Sequence, residues 1–359
     1  MSREDKVILA HGAGGRLSHE LVEEIFVKYF GNPVLARLDD AAVLHIMQHA
    51  TRNTKGTRGT KDATRNTSTD FRIALTTDSY TISPLFFPGG DIGKLAVCGT
   101  VNDLSMSGAR PLYLTAAFIL EEGLPLETLE RVVASMAETA RQTEVEIVCG
   151  DTKVVNRGGA DQLFINTAGV GVVPPRVDIS GSNARPGDVV LLSGPVGDHG
   201  MAIMTRREGI EFTSPLESDC APLNGLVQAM LAASPEIHCL RDPTRGGLAA
   251  TLNELATQSG VGIEVDEEAI PVREAVRGAC ELLGLDPLYV ANEGKLVAVV
   301  PPHAAEAVLA AMRAHPYGRE ATVIGRVVDE HPGRVVLCTA LGARRILDML
   351  VGEQLPRIC

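Results

Sequence analysis

The chain closes on a thiol, in the run Leu355-Pro356-Arg357-Ile358-Cys359. A sulfur at the last position travels with its tail and can visit a site that no fixed core residue reaches. Pro356 lacks an N–H and holds φ near about −65°, and the residue before it is pushed toward extended backbone. A thin, non-helical end is therefore expected. Arg357 favours the thiolate and the terminal carboxylate opposes it, so the expected thiol pKa stays near the reference of about 8.5. The plain alternative is a frayed terminus that happens to end in cysteine.

A second set of groups is acidic. Asp39 and Asp40 follow a short apolar run, and Asp78 and Asp151 read as strand ends. Asp103 falls inside a helical pattern in which Ala96, Gly99, Thr100, Asp103 and Ser107 share one face. A carboxylate on a face of small residues lies against another backbone or faces a ligand. Left unpaired and buried it costs several kcal/mol, so a cation is expected beside it. Mg2+, which takes one or two carboxylates together with phosphate oxygens, suits this supply of hard ligands. For Asp78 and Asp151 a turn role competes, because Asp favours strand ends.

Two glycine-rich loops precede helical patterns: His11-Gly12-Ala13-Gly14-Gly15 and Thr244-Arg245-Gly246-Gly247. Free N–H groups at a helix start suit phosphate, although such loops are also common turns. No Walker loop is present; Gly90-Asp91-Ile92-Gly93-Lys94-Leu95 has the wrong spacing and no Ser or Thr for a metal. A dinucleotide fingerprint opening a helix is missing too. Lys153, after Gly150-Asp151-Thr152, and Glu293, in Ala291-Asn292-Glu293-Gly294-Lys295, are the candidates for moving protons. A surface ion pair is the competing role for the lysine. His199, in Gly197-Asp198-His199-Gly200, reads as a turn or helix-entry residue.

Alternating strand and helix patterns must position these groups. A helix is expected from about 18 to 29, and strands over 42–46 and 71–77. A helix then spans 91–107, a strand 113–119, a helix 126–142, and strands 145–149 and 163–173. Pro174-Pro175 breaks the pattern. The expected N-terminal domain is 1–175, the C-terminal domain 176–340, and the tail 341–359. In the second half, strands are expected at 189–193, 262–265, 296–300 and 335–339, with helices over 248–257 and near 343–350. The stretch Ala50–Thr54 recurs verbatim at Ala63–Thr67, in a segment with no large apolar side chain. An exposed variable loop over about 48–69 follows.

Composition narrows the classes of activity. The chain has 359 residues, 45% of them hydrophobic, and no apolar run long enough to span a bilayer. The charged start, Arg3-Glu4-Asp5-Lys6, lacks a secretory h-region. A formal charge of −12 opposes nucleic-acid binding but not nucleotides reached through a cation. The seven cysteines are scattered with no C-x-x-C pair, which argues against a zinc site or a disulfide framework. Reduced thiols in the cytoplasm are expected, and Cys98, Cys149, Cys220, Cys239, Cys280 and Cys338 read as buried structural residues.

Taken in order, the stretches HGAGG at 11–15, TTDS at 76–79 and SPLFFPGGDIGKLAVCGTVNDLSMSGA at 83–109 resemble one family. FILEEGLP at 118–125, GDTKVV at 150–155, GDHG at 197–200, DPTRGG at 242–247, NEGK at 292–295 and PRIC at 356–359 complete the likeness. It is the HypE family of hydrogenase-maturation proteins, within the aminoimidazole-ribotide-synthetase-like superfamily. The segment at 48–69 departs from it. The resemblance implies two α/β domains, with N-terminal domains pairing into a β-barrel homodimer. It implies ATP with Mg2+ against the N-terminal domain, and dehydration of a carbamoyl group on Cys359 to thiocyanate. A HypF carbamoyltransferase would load the sulfur, and a HypC–HypD complex would accept the cyanide. Carried onto this chain, Asp78, Asp103 and Asp151 would hold the metal. His11, Gly12, Gly14, Gly15, Asp40, Asn102 and Thr152 would join them around the nucleotide. Cys359, Lys153 and Glu293 would be catalytic. A kinase or ligase of the same superfamily, acting on a diffusible metabolite, and a non-catalytic assembly factor are the rival readings.

Overall fold

The computed structural model describes residues 15–27, 29, 32–46, 71–210, 216–350, 355 and 357–359. His11, Gly12, Gly14 and the repeated segment at 50–67 lie outside them. The first helix, α1 (Arg16–Leu21), passes into a wider π-turn over Val22–Val27.

The first half builds a five-stranded sheet. Its strands are β1 (Ala42–Ile46), β2 (Phe71–Tyr80), β5 (Arg110–Glu121), β6 (Glu146–Val155) and β7 (Leu163–Val173). The order is β1-β2-β7-β5-β6, with only β5 and β6 parallel. The parallel pair needs a crossover, supplied by α3 (Leu126–Gln142). A short hairpin of β3 (Phe86–Phe87) and β4 (Gly90–Asp91) leads into α2 (Ile92–Met106), whose start is capped by Asp91 accepting from Gly93 N–H at 2.7 Å. Burial alternates strictly along β7, so one face packs on α2 and the other stays open.

The second half forms a seven-stranded sheet in the order β14-β13-β10-β12-β8-β11-β9. These are β8 (Val189–Leu192), β9 (Cys239–Arg241), β10 (Gly262–Asp266), β11 (Val297–Val300), β12 (Thr322–Val328), β13 (Val335–Cys338) and β14 (Arg344–Ile346). Helices α4 (Asp198–Glu208), α5 (Asn224–Ala233), α6 (Gly247–Ser259), α7 (Glu274–Leu283) and α8 (Pro302–Ala314) join them. An apolar cluster crosses between the halves, bringing Leu104 and Met106 of α2 against Leu223, Leu226, Leu240 and Leu296. That shared core fixes α2, and with it Asp103, against the second half.

Three expectations change. The strand expected to end at 149 continues to Val155, so Asp151 and Lys153 sit within it. Gly150 is not a stop: a Cβ there would lie 2.5 Å from the Ala116 carbonyl, so the glycine allows close pairing with β5. The helix expected near 343–350 is instead strand β14, turned back on β13 through Gly342 at φ 77°. Four of the six internal cysteines are buried, but Cys149 is exposed and Cys338 only partly covered.

Candidate active site at the docked C-terminus

The terminal sulfur lies inward. A chamber of about 250 Å³ opens between the halves, and Cys359 forms part of its wall. Thr76 and Asp78 of β2 and Asp103 of α2 face it from the first half, with Asp40 beside them. From the second half come Asp242 and Arg245 of the β9–α6 loop, and Glu293 just before β11. β2 runs through Asp78 rather than ending at it; alternation puts Thr76, Asp78 and buried Tyr80 on the helix-facing side. Gly99 matters by its size, since a Cβ there would meet the Tyr80 hydroxyl at 2.2 Å. The small-residue face of α2 thus packs closely on Tyr80 of β2 and turns Asp103 to the chamber.

The chamber concentrates negative charge. Asp103 accepts a hydrogen bond from the Thr76 hydroxyl at 2.9 Å, yet burial first, then Asp242, Asp78 and Asp40, push its pKa well up. Asp242 is raised to about 7 by burial and Asp40. Asp40 is raised to about 6 by burial, against the pull of Arg241, whose Nη2 lies 3.3 Å away. Glu293 is also pushed well above the usual range, by burial and then by neighbouring Cys220 and Asp242. Such a site calls for a cation. Among the described residues no three His, Cys, Asp or Glu side chains gather closely enough to hold one alone.

Cys359 departs from its expected ordinary thiol. Burial raises its pKa to about 12, Arg245 working against the shift and Glu293 and Asp78 with it. The docked sulfur is therefore protonated or covalently loaded, not a free thiolate nucleophile. Its segment is fastened rather than frayed. The Cys359 carbonyl accepts from Thr81 N–H at 3.0 Å, and Arg357 donates back to the Thr81 carbonyl at 2.9 and 3.1 Å. Ile358 is buried among Ile82, Leu85 and Phe87. Arg357 takes a left-handed φ of 53°, so the chain turns within this thin, non-helical end.

Not every expected residue reaches the chamber. Asn102 does not line the chamber: its amide donates to the Ala221 and Glu293 carbonyls at 3.1 and 3.4 Å and accepts from Leu223 N–H at 2.7 Å. It clips the Glu293 loop to α2. Gly15 is buried, where a Cβ would strike the Leu350 carbonyl, so its smallness serves a backbone approach. Asp151, Thr152 and Lys153 lie on exposed edge strand β6, outside the chamber of their own chain. Asp151 and Lys153 pair with each other at 3.6 Å. Conversely, Asp242 and Arg245 are central, although the sequence offered them only as part of a glycine loop. Asp39 turned out structural, its carboxylate accepting from Gly181 N–H and Ser180 Oγ, both at 2.9 Å.

Two domains of this topology around a charged chamber define an AIR synthase related protein. The N-terminal domain of that family matches residues 38–173 and its C-terminal domain residues 185–338. The carbamoyl dehydratase HypE of Azotobacter vinelandii is 55% identical over 99% of this chain and 98% of its own length. A solved hydrogenase maturation protein HypE in complex with ATP aligns with TM-score 0.78 at 50% identity, covering 99% of this chain and 100% of that one. HypE from a HypE–HypF complex aligns with TM-score 0.82 at 49% identity, covering 92% and 99%. This chain belongs to the HypE family.

Proposed function

We propose that this chain is an ATP-dependent carbamoyl dehydratase acting on itself. It converts an S-carbamoyl group on Cys359 into a thiocyanate, the source of the cyanide ligands of a [NiFe]-hydrogenase iron. The observation that carries this reading is the terminal sulfur in one chamber wall with Glu293, Arg245 and four aspartates.

An amide oxygen leaves poorly by itself. ATP supplies the phosphoryl group that turns this oxygen into a leaving group, and the ATP-bound relative supports its binding here. The chain supplies position and charge. Asp78 and Asp103 are assigned to Mg2+ and the phosphates, with Asp242 added to them. Glu293 takes a carbamoyl N–H proton as phosphate departs; its raised pKa makes it a stronger base once ionised. Arg245, on the same chamber wall as Cys359, faces the sulfur end of the group. The products are S–C≡N, ADP, phosphate and the released proton. Because the substrate is tethered, weak intrinsic affinity suffices.

A homodimer suits the open face of the first sheet, where Leu75, Tyr113 and Ile119 are 40%, 45% and 43% exposed. Asp151 pairs in register with Ala117 and Lys153 with Ile119, so both sit on that face. Their assigned roles therefore belong to the paired state. The HypE–HypF structure supports a HypF partner as loading enzyme. A HypC–HypD complex is assigned as cyanide acceptor, in a cytoplasmic setting suited to seven unpaired thiols. The test is mass spectrometry of carbamoylated protein given Mg·ATP. The C-terminal peptide should lose the mass of one water, and wild-type protein without that loss would end the reading. A metabolite kinase would keep its ATP turnover after deletion of Cys359; this chain should not.

A further inference from the structure

We propose that His199 and Arg207 of α4 form a latch that sets how long the C-terminal tail stays docked, and that couples docking to the placement of Glu293. This rests on the dehydratase reading but can be tested without it.

The docked segment is held by two kinds of contact. On the side of the first half, Thr81 N–H donates to the Cys359 carbonyl, the Arg357 guanidinium donates to the Thr81 carbonyl and pairs with Asp161, and Ile358 is buried. The rest comes from one face of α4. His199 Nε2 lies 2.7 Å from the Ile358 carbonyl, and Arg207 donates through Nη2 to the Arg357 carbonyl. Arg207 also donates from Nε to the Ser83 carbonyl at 2.6 Å, so it ties tail and β2–β3 loop together. A carbonyl only accepts, so Nε2 carries the ring proton. The other ring nitrogen then accepts from the Ser218 hydroxyl at 2.7 Å. Burial keeps the ring neutral, in keeping with that tautomer.

The chain of contacts continues toward the chemistry. Ser218 Oγ accepts from Cys220 N–H at 3.0 Å, which orders the turn that carries Asp219. Asp219 in turn accepts the backbone N–H groups of Glu293 and Gly294. A tail carbonyl seated on His199 is thus linked, residue by residue, to the loop bearing the base. Docking and base placement share one hydrogen-bonded support. An undocked tail leaves His199 Nε2 a buried donor without its partner, a state that costs free energy and favours return of the tail.

A tail that must be loaded outside and dehydrated inside needs this hold to be limited. Loosening it should speed loading and slow dehydration, two opposite effects that a merely structural residue would not produce. The direct readout is alkylation of Cys359 by N-ethylmaleimide in the full-length protein without nucleotide, followed on the C-terminal peptide. Arg207→Met and His199→Leu should each raise that rate about tenfold, the factor equivalent to 1.4 kcal/mol. His199→Gln, which retains a donor, should restore slow alkylation. Half-exposed Arg207 can be replaced without disturbing the core, so Arg207→Met decides the matter if the histidine variant misfolds. Unchanged alkylation in Arg207→Met, or loading and dehydration that fall together, overturns the latch. Neither result touches the dehydratase reading, whose own test is water loss in the wild type.

Discussion

Asp219 accepts the Glu293 backbone N–H at 3.2 Å through one carboxylate oxygen, while the other accepts from Gly294 N–H and the Lys295 ammonium, both at 3.1 Å. The loop bearing the proposed base is therefore gripped by a buried acid from a different part of the chain. Burial would raise the Asp219 pKa, but Lys295 and the Glu293 N–H outweigh it and hold it below the usual range. The folded pKa is depressed, so the stabilisation is present above the unfolded value of about 3.9 and lost as pH falls through the folded one.

Asp219→Ala removes this grip and leaves Lys295 buried without its partner. Breaking a buried pair from one side costs about 3–5 kcal/mol. Thermal unfolding at pH 7 should show a large drop in Tm, and the difference from wild type should shrink in strong acid. An unchanged Tm would mean that solvent or another acid takes over Lys295.

Glu293→Gln keeps the shape of the loop and its backbone bonds while removing the carboxylate. Single-turnover dehydration should slow by about 10²–10⁴-fold, the usual worth of a positioned general base. ATP binding, measured by calorimetry, should change little. A variant that still loses water at the wild-type rate would move the base elsewhere, with Lys153 of a paired chain next in line.

The docked thiol gives a prediction in alkali. With its pKa raised to about 12, Cys359 holds its proton when docked. This group supports docking fully below the ordinary thiol range, and that support is lost as pH rises through about 12. Alkylation of Cys359 should therefore climb more steeply with pH than that of a short peptide ending in Arg-Ile-Cys. Parallel profiles would show that the tail is not held inward in solution.

Much of this architecture was legible beforehand because it rests on local rules. Helix α2 announced itself by the helical pattern over 91–107, and its small-residue face placed Asp103 in the chamber. The terminal cysteine stood out as movable. What failed depends on contacts distant in sequence. Gly150 reads locally as a strand end, and only its approach to Ala116 shows that β6 runs on. Asn102 looks like a ligand, yet it does not line the chamber and its amide bonds Ala221, Leu223 and Glu293. The thiol pKa depends on burial, which Arg357 two residues away could not foretell. Nor could His199 be read as more than a helix entry, since its partner is the carbonyl of Ile358.

The clustered carboxylates set stability against activity. Asp103 is pushed well up by burial and by Asp242, Asp78 and Asp40, and Asp242 itself reaches about 7. Here the folded pKa values are raised, so the unfolded chain gives up these protons first. Their contribution is most favourable below about pH 3.9 and is lost as pH rises toward and past 7. Asp103→Asn removes one of the competing charges and keeps an oxygen for the Thr76 hydroxyl, 2.9 Å away in the native chain. It should raise Tm at pH 8 by an amount equivalent to about 1 kcal/mol, and flatten the fall in Tm between pH 5 and pH 8. The same change should weaken Mg·ATP binding and suppress water loss from the carbamoylated tail, because the repelling charges are those assigned to the cation and phosphates. Differential scanning calorimetry across that pH range, with and without Mg·ATP, separates the two effects. A variant less stable than wild type at pH 8 would show that Asp103 is already neutralised by a structural partner in the resting protein.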